Sequence, residues 1–224
     1  MHPVPFRPLA LLMDMDGLLV DSEPLWFRVE TELARDRGGD WTAAHAAECV
    51  GRGIANTLET MRVALGLDID VHRDAVELVE RVIARVSELA PKPGARELVA
   101  DALAAGVPMA LASSSPLRLI DAVIDALDLR RSLQAVVSGE AVTHPKPAPD
   151  IFLLAASRLG CDATRCVVLE DSVAGVLAGR AAGAMVIAVP EAPPPPGRYA
   201  AAHAVVSDLF EARRLLDLVP RRAV

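Results

Sequence analysis

The sequence predicts an α/β protein: a doubly wound, Rossmann-like parallel sheet with an all-helical cap domain inserted after its first strand. Three observations carry this expectation. From residue 95 onward, short apolar runs alternate with helical periodicity, the pattern of units that build a parallel sheet covered on both faces. One further apolar run, residues 9–13, is cut off from the others by a long helical stretch. Residues able to do chemistry follow four of the apolar runs, where open parallel sheets place their ligand crevices.

Taken in order, residues 9–13 read as a buried strand ending in acids. A helical region then runs from Glu23 to about Leu89 with two breaks, one at Gly38 and Gly39 and one at Gly51 and Gly53. Within it, residues 71–89 read as one helix, with Ala75, Leu78, Val79, Val82, Ile83 and Val86 on its apolar face. Pro91, Pro93 and Gly94 punctuate the return. Next come a helix over 95–105, a strand over 108–112, and a helix opened by Pro116 with Ser115 as its cap. A strand over 135–138 and a helix over 149–159 follow, then a strand over 166–169 and a helix over 172–182. The chain closes with a strand over 185–189 and a last strand and helix within 204–218. The four consecutive prolines in 191–197 imply an extended surface loop. The expected domains are a core of residues 1–21 and 91–224 and a cap of residues 22–90.

Composition bounds the function. With 224 residues, 52% of them hydrophobic, a core forms without disulfides. The net charge of −7 counts against nucleic acid and anionic membranes as partners. Cys49, Cys161 and Cys166 are odd in number and lack metal-site spacing, so they read as small, semi-buried residues of a reducing compartment. The start of the chain reaches Asp14 too soon for a signal peptide, and no apolar stretch is long enough to span a bilayer. A cytoplasmic monomer is expected.

The strand ends supply the chemistry. Asp14 and Asp16 follow the first strand, and Ser113, Ser114 and Ser115 the second. His144 and Lys146 follow the third, and Glu170 and Asp171 the fourth. Singly, each has a plain reading: an acid after a strand caps a helix, and a lysine between prolines sits on the surface. Together they are costly unless neutralised, because carboxylates packed at one point repel. Oxygen donors suit Mg2+, and Mg2+ with a lysine neutralises a phosphate dianion. Asp14 and Asp16, two residues apart, face one side if the strand geometry persists, so one can attack phosphorus while the other handles the proton.

At this point the motifs acquire a family. MDMDGLLVDSEPLW, LASSSP, HPKPAPD and VLEDSVAGVLAGRAAG, in that order and over essentially the whole chain, resemble the four motifs of haloacid dehalogenase-like (HAD) phosphatases with a helical cap. The resemblance implies that Asp14 is the nucleophile that forms an aspartyl phosphate. It implies that Asp16 protonates the leaving alcohol and then activates water. Ser113, Ser114 and Lys146 would hold the phosphoryl group. Mg2+ would be held by Asp14, Asp171 and the main-chain carbonyl of Asp16, with Glu170 a direct or water-mediated ligand. Glu23, Trp26, Gly51 and Arg52 would line the substrate side of the cap. Asp16 argues against dehalogenation, because the dehalogenases of the family lack that second aspartate. DSEPLW and LASSSPL look most like bacterial hexitol- and sugar-phosphate phosphatases of the 2-deoxyglucose-6-phosphate phosphatase type, so the substrate expected is a small phosphorylated metabolite. Phosphoglycolate phosphatase is a related alternative. So is a β-phosphoglucomutase-like transferase, although the mutases carry a histidine where this chain has Trp26 and an arginine where it has Ile54. A silent binding module on the same fold has no need of both aspartates.

Overall fold

The computed structural model describes residues 7–49 and 53–218. β1 (Ala10–Met13) is fully buried and is followed by a two-residue strand, β2 (Val20–Asp21). Next come α1 (Glu23–Asp36), α2 (Ala43–Cys49), α3 (Ile54–Ala64) and α4 (Val71–Ile83), and β3 (Ala90–Pro91) brings the chain back. The alternation then begins: α5 (Ala95–Ala104), β4 (Met109–Ser113), α6 (Leu117–Ala126), β5 (Ala135–Ser138) and α7 (Asp150–Arg158). It ends with β6 (Cys166–Glu170), α8 (Val173–Ala181), β7 (Met185–Ala188), β8 (Ala204–Val205) and α9 (Leu209–Leu215).

The main sheet has the order β5-β4-β1-β6-β7-β8, and each pairing in it is parallel. Without the small β2–β3 pair, this is the 3-2-1-4-5-6 order of a doubly wound sheet. The order reverses beside β1, and the carboxyl ends of β1, β4 and β6 are where such a sheet places its ligand site. Alternation along the strands fills both faces. Leu11, Met13, Leu111 and Leu169 belong to one buried cluster with α5, α6 and α9. Leu12, Ala110, Ala112 and Val168 belong to the other, against α7 and α8.

The helical stretch is more broken than its periodicity predicts. A third break separates α3 from α4, where Gly66 adopts a left-handed φ of +64°. Asp70 then caps α4 by accepting the amide N–H groups of His72 and Arg73. The helix expected over 71–89 stops at Ile83 and resumes as a 3-10 turn, Val86–Glu88. That tighter turn carries the chain toward β3, which pairs antiparallel with β2 through Val20–Pro91 and Asp21–Ala90. The chain therefore leaves and re-enters the sheet region side by side, a ribbon too short to be visible as alternation. Residues 191–196 carry no helix or strand, and all but one of them are exposed, as the proline run implies. Among the described residues, no helix is long and apolar enough to cross a membrane.

Candidate active site

Two polar clusters meet at the carboxyl ends of β1, β4 and β6. The first is built on Lys146, which lies in the loop after β5 and is almost wholly buried. Its ammonium donates to Asp14 Oδ1 at 2.7 Å, Glu170 Oε1 at 2.6 Å and the Ala112 carbonyl at 3.1 Å, which uses all three of its protons. The Phe152 ring lies beneath it, 5.1 Å from the nitrogen. Glu170 is fully buried, and its other oxygen accepts from the amide and hydroxyl of Ser172, each at 2.9 Å.

Two glycines make room for these acids. A Cβ at Gly175 would fall 1.7 Å from Glu170 Oε1, so any side chain there displaces the carboxylate. A Cβ at Gly17 would fall 2.3 Å from Asp171 Oδ2, and Gly17 also holds a φ of +76°. The tight turn after Asp16 and the seat of Asp171 thus depend on the same residue.

One lysine does not balance three acids. Asp14, Glu170 and Asp171 each offer an oxygen within 4.8 Å of the others. Burial first, and then Glu170 against the opposing pull of Lys146, pushes the Asp14 carboxyl up to about 7. Burial, then Glu170 and Asp14, pushes Asp171 up to about 9. Burial pulls the Lys146 ammonium down, but Asp14 and Glu170 overcome it and hold it above its ordinary value. The surplus negative charge and the all-oxygen donor set fit a hard divalent cation.

The second cluster surrounds Asp16. Its Oδ1 accepts from the Ser22 hydroxyl at 2.7 Å, and its Oδ2 accepts from Ser115 at 2.8 Å and, more weakly, Ser113 at 3.4 Å. The structure corrects the reading of Ser115 as a helix cap. The cap position of α6 is Pro116, no side chain caps it, and the Ser115 hydroxyl is spent on Asp16. Ser22 is a partner of Asp16 that the sequence does not mark. It precedes α1 and looks like a cap, yet its backbone is helical, it makes no capping bond, and it is buried against Asp16 instead. Neither role has a local signature, since the partners are six and 99 residues apart.

Asp14, Asp16, Ser113, Lys146, Glu170 and Asp171 are thus brought together, and Ser114 is exposed beside them. The Asp16 carboxylate faces serines and lies outside the group of Asp14, Glu170 and Asp171 that could hold a metal ion. Glu23 and Trp26 sit in the first turn of α1. Trp26 is half-buried and packs against the larger apolar cluster. Burial, then the neighbouring Glu191, pushes Glu23 up to about 7. Gly51 and Arg52 lie outside the described residues.

A family model described as haloacid dehalogenase-like hydrolase matches residues 9–183. Hexitol phosphatase B of Escherichia coli K12 is 38% identical over 220 residues, covering 92% of this chain and 95% of its own. The crystal structure of a CbbY mutant from Rhodobacter sphaeroides in complex with xylulose-(1,5)bisphosphate superposes with a TM-score of 0.83 at 27% identity, covering 91% of this chain and 96% of that one. β-Phosphoglucomutase from Clostridium difficile shares the fold with a TM-score of 0.77 at 21% identity, covering 92% and 96%.

Proposed function

The chain belongs to the haloacid dehalogenase-like hydrolases, and from that premise we propose that it is an Mg2+-dependent phosphatase of small phosphorylated sugars or polyols, with Asp14 as nucleophile. The observation that carries the proposal is the pairing of two aspartates two residues apart in opposite surroundings. Asp14 lies among a lysine and two further acids, and Asp16 among three hydroxyls. The likeness to hexitol phosphatase B and to CbbY supports the substrate class.

In the first step an Asp14 carboxylate oxygen attacks phosphorus and the bond to the leaving oxygen breaks. Asp16 gives that oxygen a proton, so the sugar or polyol departs as a neutral alcohol. In the second step Asp16 takes a proton from water, the hydroxide attacks the aspartyl phosphate, and Asp14 is restored. Ser22 and Ser115 keep the Asp16 carboxyl aimed through both steps. Lys146, already bonded to Asp14, shares its charge with the phosphoryl oxygens, and Ser113 and Ser114 supply further donors. Asp14, Asp171 and the main-chain carbonyl of Asp16 would hold the cation, with Glu170 behind them. When bound, Mg2+ neutralises charge on the transferring phosphoryl group.

Residues 22–90 act as a cap that turns on the β2–β3 ribbon and shields the transfer from water. Glu23 and Trp26 enter the cap beside that ribbon, and with Arg52 they are the cap residues assigned to the substrate. The test is phosphate release from a panel of sugar phosphates, polyol phosphates and phosphoglycolate, with Mg2+ and with chelator. Metal-dependent release ranked toward sugars and polyols is expected. Isomerised product without release identifies a mutase and overturns the proposal.

A further inference from the structure

The proline run after β7 and the lone tyrosine that follows it have no part in the chemistry above. Chain returning from β7 to β8 covers residues 189–203 without a helix or strand. Pro193, Pro195 and Pro196 in this segment are exposed, so they contribute stiffness rather than packing. Gly197, with a φ of +80°, then turns the chain inward. Arg198 N–H donates to the Pro195 carbonyl at 3.2 Å and Ala200 N–H to the Gly197 carbonyl at 3.1 Å, which closes the turn. At its centre the Tyr199 ring is buried in the apolar cluster that also holds Val168 and Ala188. Its hydroxyl donates to the main-chain carbonyl of Asp171 at 2.5 Å.

That carbonyl belongs to the peptide joining Asp171 to Ser172, the cap residue of α8. On its other side the Asp171 carboxylate is pressed against Gly17. The residue is thus clamped between Gly17 at its side chain and Tyr199 at its backbone. Swinging the 171–172 peptide would carry the carboxylate away from Asp14 and Glu170. We propose that Tyr199 is a positioning residue for the cation site, holding Asp171 in ligating geometry, and that the proline-rich segment is the strut that keeps Tyr199 in place. This rests on Asp171 being a metal ligand.

The experiment is calorimetric titration of Mg2+ into metal-free protein, without substrate, for wild type, Tyr199→Phe and Asp171→Asn. Phenylalanine keeps the buried ring and removes only the hydroxyl. Tyr199→Phe is expected to weaken Mg2+ binding by about 10-fold, the low end for partners behind a metal ligand. The Mg2+ concentration for half-maximal activity should rise by the same factor, while KM for substrate at saturating metal stays put. A merely structural role would not split the two in this way. Wild-type affinity in Tyr199→Phe, with binding lost in Asp171→Asn, overturns the positioning role and leaves the metal assignment standing. Retained binding in Asp171→Asn overturns the metal assignment itself. Should Tyr199→Phe fail to fold, replacement of the exposed Pro193, Pro195 and Pro196 by serine carries the test: weakened Mg2+ binding is expected, and unchanged affinity overturns the strut.

Discussion

At the scale of single residues, the site is organised by what each carboxylate faces. Asp16 faces hydroxyls, and Ser115 donates to its Oδ2 at 2.8 Å, which holds the carboxylate in place. Removing that bond in Ser115→Ala should lower kcat by about 10-fold, equivalent to about 1.4 kcal/mol of barrier. Steady-state kinetics at saturating substrate checks this, and an unchanged kcat would mean that Ser115 only fills space. Asp14 and Asp171 face other acids, and their raised values of about 7 and about 9 make metal binding depend on pH. Without metal, the folded protein holds protons on these groups that the unfolded chain releases near the ordinary aspartate value of 3.8. The stability they contribute is present below that value and is lost as pH rises through about 7 and then about 9. A divalent cation binds the ionised forms and replaces that loss. The rise in Tm caused by saturating Mg2+ should therefore be small near pH 6 and grow toward pH 9. Scanning calorimetry at both pH values tests it, and a pH-independent shift would contradict the cation site.

At the scale of elements, the helices between β2 and β3 are tied by charge as well as by apolar packing. Asp74 of α4 is fully buried and accepts from Arg37 at 3.0 Å, Arg73 at 2.8 Å and the Asp70 amide at 3.1 Å. Burial raises its carboxyl, but the Arg73 and Arg37 bonds prevail and hold it below the ordinary range. Asp74→Ala leaves these donors without their acceptor, at a cost of about 2 kcal/mol. Denaturant titration should show that loss, with activity in the folded fraction retained. α4 also rests on the first turn of α6, where Arg118 pairs with Glu80 and reaches the Val76 carbonyl at 3.3 Å. Both partners are substantially exposed, so this contact adds little stability. Arg118 lies in the same strand-to-helix segment as Ser113 and Ser115, so the cap helices touch the core beside the residues that hold Asp16.

At the scale of the whole molecule, the sheet order and the site share one cause. A doubly wound sheet reverses beside its first strand, and the acids of β1 and β6 end at that reversal. This much was legible in the sequence, because buried parallel strands are continuous apolar runs and the residues after them are few. LALLM before Asp14 and CVVL before Glu170 are plain in that way. What the sequence concealed depends on pairs distant along the chain. The ribbon of Val20–Asp21 with Ala90–Pro91 is two residues long on each side, too short to show a period. The breaks at Gly66 and after Ile83 hide within an amphipathic pattern that continues across them. Ser22 and Ser115 carry the composition of helix caps, and Tyr199 stands in a loop without periodicity. For the ribbon, for Ser22 and Ser115 and for Tyr199, a partner brought in by the fold overrides the local preference.

The most direct test is the rate of phosphate release from a preferred sugar phosphate by Asp14→Asn, at saturating Mg2+, against the wild type. An amide at this position cannot form the aspartyl phosphate, so the rate should fall by about 10⁴-fold or more, the scale seen when a covalent nucleophile is removed. Release at the wild-type rate would contradict the assignment of Asp14, and with it the two-step chemistry built on the end of β1.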